Sequence, residues 1–290
     1  MSDEVPSDVA GFPAHQRGYA PSADVQLHYR RFGKPGRVPL IILHGLSFFS
    51  YDWKDLASRV AAEREVIAMD MRGFGDSSWS AEEKYGVADF AGDVIALMDN
   101  LKWERAVLFG HSLGGRNASF CGAKYSDRIS ALILGDYTPD ASKAGTRKVM
   151  EVVAGAPEVF DTIDAAIRCF GGNGADPKVR VRYREYMQPT KGGFILKRDP
   201  FFRNGFRRIL AGGQPPPGPD IWQSLRQIMC PILNIRGKRS PIFGEESVQR
   251  VREANKRLEL VEVDAGHNIG ADAFEPVLSE IGKFLVAHKL

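Results

Sequence analysis

The sequence predicts an α/β fold, a mostly parallel, doubly wound sheet with an inserted helical cap. Two observations carry this. Short apolar runs alternate with amphipathic segments of helical period, the rhythm of parallel strands joined by crossover helices. Between residues 137 and 220 the rhythm stops: helical pieces and Gly or Pro breaks follow one another without a parallel strand, and then the alternation resumes. The expected organisation is a loose leader over residues 1–17, a core built from 18–136 and 221–290, and a cap over 137–220.

The elements follow in order. Residues 1–17 are acidic and contain proline but no apolar segment, so they read as a solvated leader and not a secretory signal. Val25–Phe32 alternates like a half-exposed strand, and GKPGRV (33–38) is a turn. PLIIL (39–43) is the first buried parallel strand. Tyr51–Ala62 spaces Trp53, Leu56, Ala57 and Val60 as one helix face, and EVIAM (65–69) is a second strand. Val87–Leu101 is a helix by the spacing of Phe90, Val94, Leu97, Met98 and Leu101. AVLF (106–109), a helix over Leu113–Tyr125 and ISALIL (129–134) complete the first half. After the cap come PILNIR (231–236), a helix around Ser247–Ala254, a strand over Leu258–Val263 and a final helix, Ala273–His288. QPPPGP (214–219) is the natural hinge out of the cap.

Composition excludes several classes. With 39 Lys or Arg against 36 Asp or Glu the net charge is +3, no footprint for nucleic acid. The apolar runs are strand-sized, far short of the roughly 20 residues of a membrane span. The 3 cysteines are widely spaced with no CxxC, which indicates neither a disulfide framework nor a zinc site; Cys121 falls inside a helix as packing. GFGDSS (73–78) lacks the third glycine of a dinucleotide fingerprint. The expectation is a cytoplasmic protein, monomer or homodimer, acting on a small molecule without metal or cofactor.

The chemistry centres on Gly110-His111-Ser112-Leu113-Gly114, a G-x-S-x-G turn between a strand and a helix. Its glycines permit a sharp bend that lifts the Ser112 hydroxyl above the sheet edge. A serine hydroxyl needs a base to become a nucleophile, and the base needs an orienting acid. His267, in DAGHN (264–268) after the last strand, is the base. On these residues, and over about Val25 to Leu290, the chain resembles the α/β-hydrolase superfamily.

The resemblance implies an oxyanion hole from the backbone N–H groups of Leu46, after His44-Gly45, and of Leu113. It also implies a structural DxRGxG loop through Asp70, Arg72, Gly73 and Gly75, pinned by an Asp–Arg pair. Most members place the acid in a Gly-x-x-Asp loop after the strand corresponding to PILNIR; here that loop is Gly237-Lys238-Arg239-Ser240, and Ser240 carries no charge. One strand earlier stands Asp136, 24 residues after Ser112, where a branch of the superfamily takes its acid. Asp136 is therefore assigned as the acid, with Glu245 or Glu246 as the fallback. His44, Phe48, His111 and Tyr137 are expected around the substrate, His44 also propping the oxyanion loop.

The cap holds 14 Lys or Arg against 9 Asp or Glu, among them Arg147, Arg168, Arg180, Arg182, Arg184, Arg203 and Arg207. Two readings stand: a rim for an acidic substrate, or solvated helix faces. Phe48, Phe49, Tyr51, Tyr137, Phe201 and Phe202 are available as an apolar wall. The implied activity is a serine hydrolase cleaving a carboxylic ester or lactone through an acyl-enzyme; amide or carbon–carbon cleavage uses the same parts. The alternatives are a lyase using His267 as a base on carbon, or a silent ligand-binding protein on the same scaffold.

Overall fold

The structure, a computed structural model, describes residues 3–5 and 13–290. The chain opens with strands β1 (Asp3–Val5), β2 (His15–Ser22), β3 (Val25–Phe32) and β4 (Leu40–Leu43). Helix α1 (Lys54–Val60), strand β5 (Val66–Met69), helix α2 (Val87–Asn100), strand β6 (Ala106–His111), helix α3 (Leu113–Lys124) and strand β7 (Ile129–Gly135) follow. The insertion then runs through α4 (Lys143–Gly155), α5 (Ile163–Cys169), α6 (Pro177–Tyr186), the strands β8 (Met187–Thr190) and β9 (Gly193–Leu196), and α7 (Pro200–Leu210). The chain returns through α8 (Ile221–Gln227), β10 (Ile232–Gly237), α9 (Val248–Ala254), β11 (Leu258–Val263), α10 (Ile269–Asp272) and α11 (Phe274–Ala287).

One sheet holds nine strands in the order β1-β2-β3-β5-β4-β6-β7-β10-β11. From β5 to β11 every neighbour is parallel, while β1, β2 and β3 pair antiparallel at one edge. Because successive side chains point to opposite faces, each apolar strand serves two cores. Ile41, Leu43, Leu108 and Leu132 enter one, and Leu40, Ile42, Val107 and Ile133 the other. Strands β4, β5, β6 and β7 are buried on both faces, which is why they read as apolar runs, whereas the edge strand β11 is only partly covered.

Two features depart from the sequence reading. Residues 1–17, expected as a loose leader, contribute Asp3–Val5 and the first residues of β2 to the sheet, with Val5 opposite His15; residues 1, 2 and 6–12 lie outside the described residues. The sequence HQRGYAPS of β2 carries Gly18 and Pro21 and no clean alternation, so its partner β3 and not its propensity holds it extended. The cap also contains an antiparallel hairpin, β8 with β9, turned at the glycine pair 192–193. Pro189 and the exposed Gln188 and Thr190 give β8 no strand signal.

Candidate active site

The register of the parallel strands sets the site. His111 at the end of β6 pairs with Gly135 at the end of β7, which pairs with Ile235 of β10, while Gly237 pairs with Val263 of β11. The loops leaving these strands therefore emerge side by side at the carboxyl edge, where open α/β sheets hold their ligands.

Ser112 sits on the first of these turns with φ +53° and ψ −114°, in a region that costs a non-glycine residue strain. The flanking glycines make the bend sterically possible: a Cβ on Gly110 would lie 2.4 Å from the Gly114 carbonyl oxygen, and one on Gly114 2.1 Å from that of Leu43. Asp136, directly after β7, also has positive φ, at +46°. Its side chain is fully buried.

These two residues meet His267. The Nδ1–H of His267 donates to Asp136 Oδ2 at 2.6 Å, which leaves Nε2 to accept the Ser112 hydroxyl at 3.0 Å. Asp136 Oδ1 accepts from the Gly237 amide at 2.8 Å, and Oδ2 also accepts from the Ser240 hydroxyl. Ser240, at the loop position where the acid was first sought, thus supports the acid on the neighbouring strand. Glu245 instead pairs with Arg236, and neither it nor Glu246 contacts His267 among the described residues.

Leu46 and Leu113 both line the cavity above Ser112. Leu113 opens α3, where a first-turn amide has no acceptor within its own helix. The Leu46 loop is braced from two sides. His44, buried behind it, donates from Nδ1 to the Gly45 carbonyl at 2.8 Å and accepts the Met71 amide on Nε2 at 3.0 Å. From the cap, the buried Arg198 donates to the Leu46 carbonyl at 3.2 Å; burial and the nearby charge of Arg203 push its pKa down to about 10.

The cavity measures about 1130 Å³ and is walled by Phe48, Tyr137, Phe201, Phe202, Phe120 and the proline run 215–217. Phe49 and Tyr51 are buried in the core instead. His44 and His111, expected among the substrate contacts, also lie behind the wall, both fully buried. His111 donates from Nε2 to the His267 carbonyl at 2.8 Å and packs at a tilt of 39° against the His267 ring, centroids 4.8 Å apart. Burial above all, with the neighbouring His267 imidazole second, pushes its pKa down to about 3, so it serves as a neutral strut for the loop that carries His267.

Among the described residues, five arginines of the expected positive rim, though not Arg168 or Arg184, are taken up by partners within the protein. Arg180 meets Asp164, Arg182 meets Asp52 at 2.7 Å, Arg203 meets Glu158, Arg147 meets Glu151, and Arg207 donates to the carbonyls of Ala154 and Ala156. The Asp–Arg pair expected within the DxRGxG loop is likewise replaced. Asp70 binds His28 and the Ser50 amide, and Arg72 forms a two-pronged pair with Asp93 on α2. Sequence reading missed one cavity residue of consequence, Arg116. Its spacing of four from Ser112 on a helix was the available signal, since such residues share a face.

Among the described residues no helix is long and apolar enough to cross a membrane. Residues 38–168 match the family model for the alpha/beta hydrolase fold. The chain is 27% identical over 257 residues to 2-(acetamidomethylene)succinate hydrolase of Mesorhizobium japonicum, covering 87% of this chain and 90% of that protein. It is 25% identical over 270 residues to N-formylmaleamate deformylase of Pseudomonas putida, covering 90% and 93%. The crystal structure of E-2-(acetamidomethylene)succinate hydrolase superposes with a TM-score of 0.80 at 24% identity, over 93% of this chain and 99% of that one, a likeness of fold. Family model, full-length relatives and superposed backbone agree, and the chain belongs to the α/β-hydrolase superfamily.

Proposed function

We propose that the protein is a serine hydrolase that cleaves a carboxylic ester or lactone of a small molecule through an acyl-enzyme. The observation that carries this reading is the chain of hydrogen bonds Ser112–His267–Asp136, with Nδ1–H fixed on the carboxylate and Nε2 free to take a proton. Ser112 Oγ attacks the carbonyl carbon as His267 takes its proton, and the carbonyl π electrons move onto oxygen. The amides of Leu46 and Leu113 hold that oxyanion, each such donor lowering the barrier by about 3–4 kcal/mol. The tetrahedral intermediate collapses, the C–O bond to the leaving group breaks, and His267 returns the proton to it. Water, deprotonated by His267, then attacks the acyl-enzyme by the same route and releases the acid.

Amide cleavage is the second reading. A relative named as a deformylase of an N-formyl compound favours it, and it differs only in the leaving atom that His267 protonates. Turnover of para-nitrophenyl butyrate and of the matching anilide in water–methanol mixtures tests both. A shared acyl-enzyme yields butyric acid and methyl butyrate in one ratio, whichever substrate supplied the acyl group. A ratio that changes with the leaving group contradicts the mechanism, and anilide turnover above ester turnover promotes the amide reading.

A further inference from the structure

The helix that carries the nucleophile presents a second polar group to the same cavity. Arg116 stands one turn along α3 from Ser112, with its amide donating to the Ser112 carbonyl at 3.1 Å. Residues so related share a helix face, with Cβ atoms about 5–6 Å apart. The Arg116 side chain lines the cavity beside Leu113, Phe120 and Tyr137, an otherwise apolar neighbourhood. It is only partly exposed, and burial lowers its pKa from the ordinary arginine value. Placing a guanidinium in such a wall is costly unless an anion or a set of acceptors meets it.

The protein supplies neither. Among the described residues no carboxylate forms an ion pair with Arg116 and no acceptor takes its guanidinium; the neighbouring group that acts on it is the Tyr137 phenol. That phenol stays neutral, since burial raises its pKa further. Two carboxylates line the cavity: Asp136 is already held by His267, Gly237 and Ser240, and Glu83 stands exposed at the rim. In the cap, Arg180, Arg182 and Arg203 have acidic partners, and Arg208, which also lines the cavity, stands exposed to solvent, whereas Arg116 is partly buried.

We propose that Arg116 binds a carboxylate carried by the substrate, a few atoms from the bond that is cleaved, and so selects acidic small molecules. This deepens the hydrolase reading and rests on it for the identity of the reacting group. A guanidinium grips a carboxylate with two parallel hydrogen bonds, and the surrounding aromatic wall suits an apolar link between carboxylate and carbonyl.

The test compares phenylbutyrate with phenylbutyramide, of the same shape without the charge, by calorimetric titration of the wild-type protein and Arg116→Met. The wild type is expected to prefer the acid by about 10- to 100-fold, and Arg116→Met to bring the preference close to one. Arg116→Lys keeps the charge but loses the fork, and is expected to retain part of the preference; it also serves if the Met variant does not fold. Equal binding of acid and amide by the wild type overturns the proposal, as does an acid preference that survives in Arg116→Met. Turnover of para-nitrophenyl butyrate separates the two readings. Acid binding through Arg116 without turnover removes the hydrolase and leaves the anion site; turnover without acid preference does the reverse.

Discussion

Replacing Asp136 with Asn preserves the shape of a buried side chain and changes what it can accept. In the native site the carboxylate takes three donors: His267 Nδ1 at 2.6 Å, the Gly237 amide at 2.8 Å and the Ser240 hydroxyl. The Asn carbonyl can keep the Gly237 bond, and the Ser240 hydroxyl can rotate to accept. The amide NH₂ then faces Nδ1, which must give up its hydrogen and accept. The imidazole is left with its proton on Nε2, aimed at Ser112 Oγ 3.0 Å away, so it cannot serve as a base. Loss of the correct tautomer costs about 10⁴ in kcat, or ~5.5 kcal/mol of barrier. The assay is kcat for para-nitrophenyl butyrate, with a thermal melt to show that Asp136→Asn folds. Glu245→Gln and Glu246→Gln serve as controls and should stay within about twofold of wild type, since surface charges away from the site change little. An Asp136→Asn enzyme within tenfold of wild type, or a Glu245→Gln enzyme that is dead, refutes the assignment of the acid.

Two further outcomes follow from the braces around the site. Arg198→Met removes the cap's hold on the Leu46 carbonyl, so kcat should fall about tenfold with little change in KM, because the loosened donor matters most in the transition state. A rise in KM alone would place Arg198 in substrate binding instead. The second concerns acid stability. His111 has its pKa pushed from 6.5 to about 3 in the folded protein, so below pH ~6.5 the unfolded chain binds the proton more readily and stability drains away as pH falls toward 3. His111→Gln keeps a donor for the His267 carbonyl but does not titrate. Its urea midpoint should therefore fall less between pH 7.5 and 5 than the wild-type midpoint does. An equal fall in both would show that His111 is not the source of the acid sensitivity.

The parallel strands were legible because burial on both faces demands wholly apolar runs, which survive in PLIIL and ISALIL as continuous signals. Ser112, Asp136 and His267 were legible for a related reason: each stands one to four residues past a recognisable strand, so chain order alone brings them to one edge. What lay hidden depends on partners remote in sequence. Nothing near Arg182 marks its pairing with Asp52, and nothing in the β2 sequence marks its seat beside β3. The cap's 14 Lys or Arg can be counted in the sequence, yet counting cannot separate a paired side chain from a free one. Two arginines line the cavity: Arg208, exposed on cap helix α7, and Arg116, which belongs to α3 and stands outside the cap. Ser240 was dismissed for lacking charge, but its hydroxyl supports the charge carried by the adjacent strand.

The account stands on the reactivity of one hydroxyl. A fluorophosphonate probe followed by trypsin digestion and mass spectrometry reads it directly, since cleavage after Arg105 and Arg116 isolates Ser112 in a single peptide, residues 106–116. Stoichiometric phosphonylation of that peptide, lost in Ser112→Ala and slowed by several orders of magnitude in His267→Ala, is the predicted result. An unlabelled wild-type protein, or a label that persists when Ser112 is removed, would contradict it.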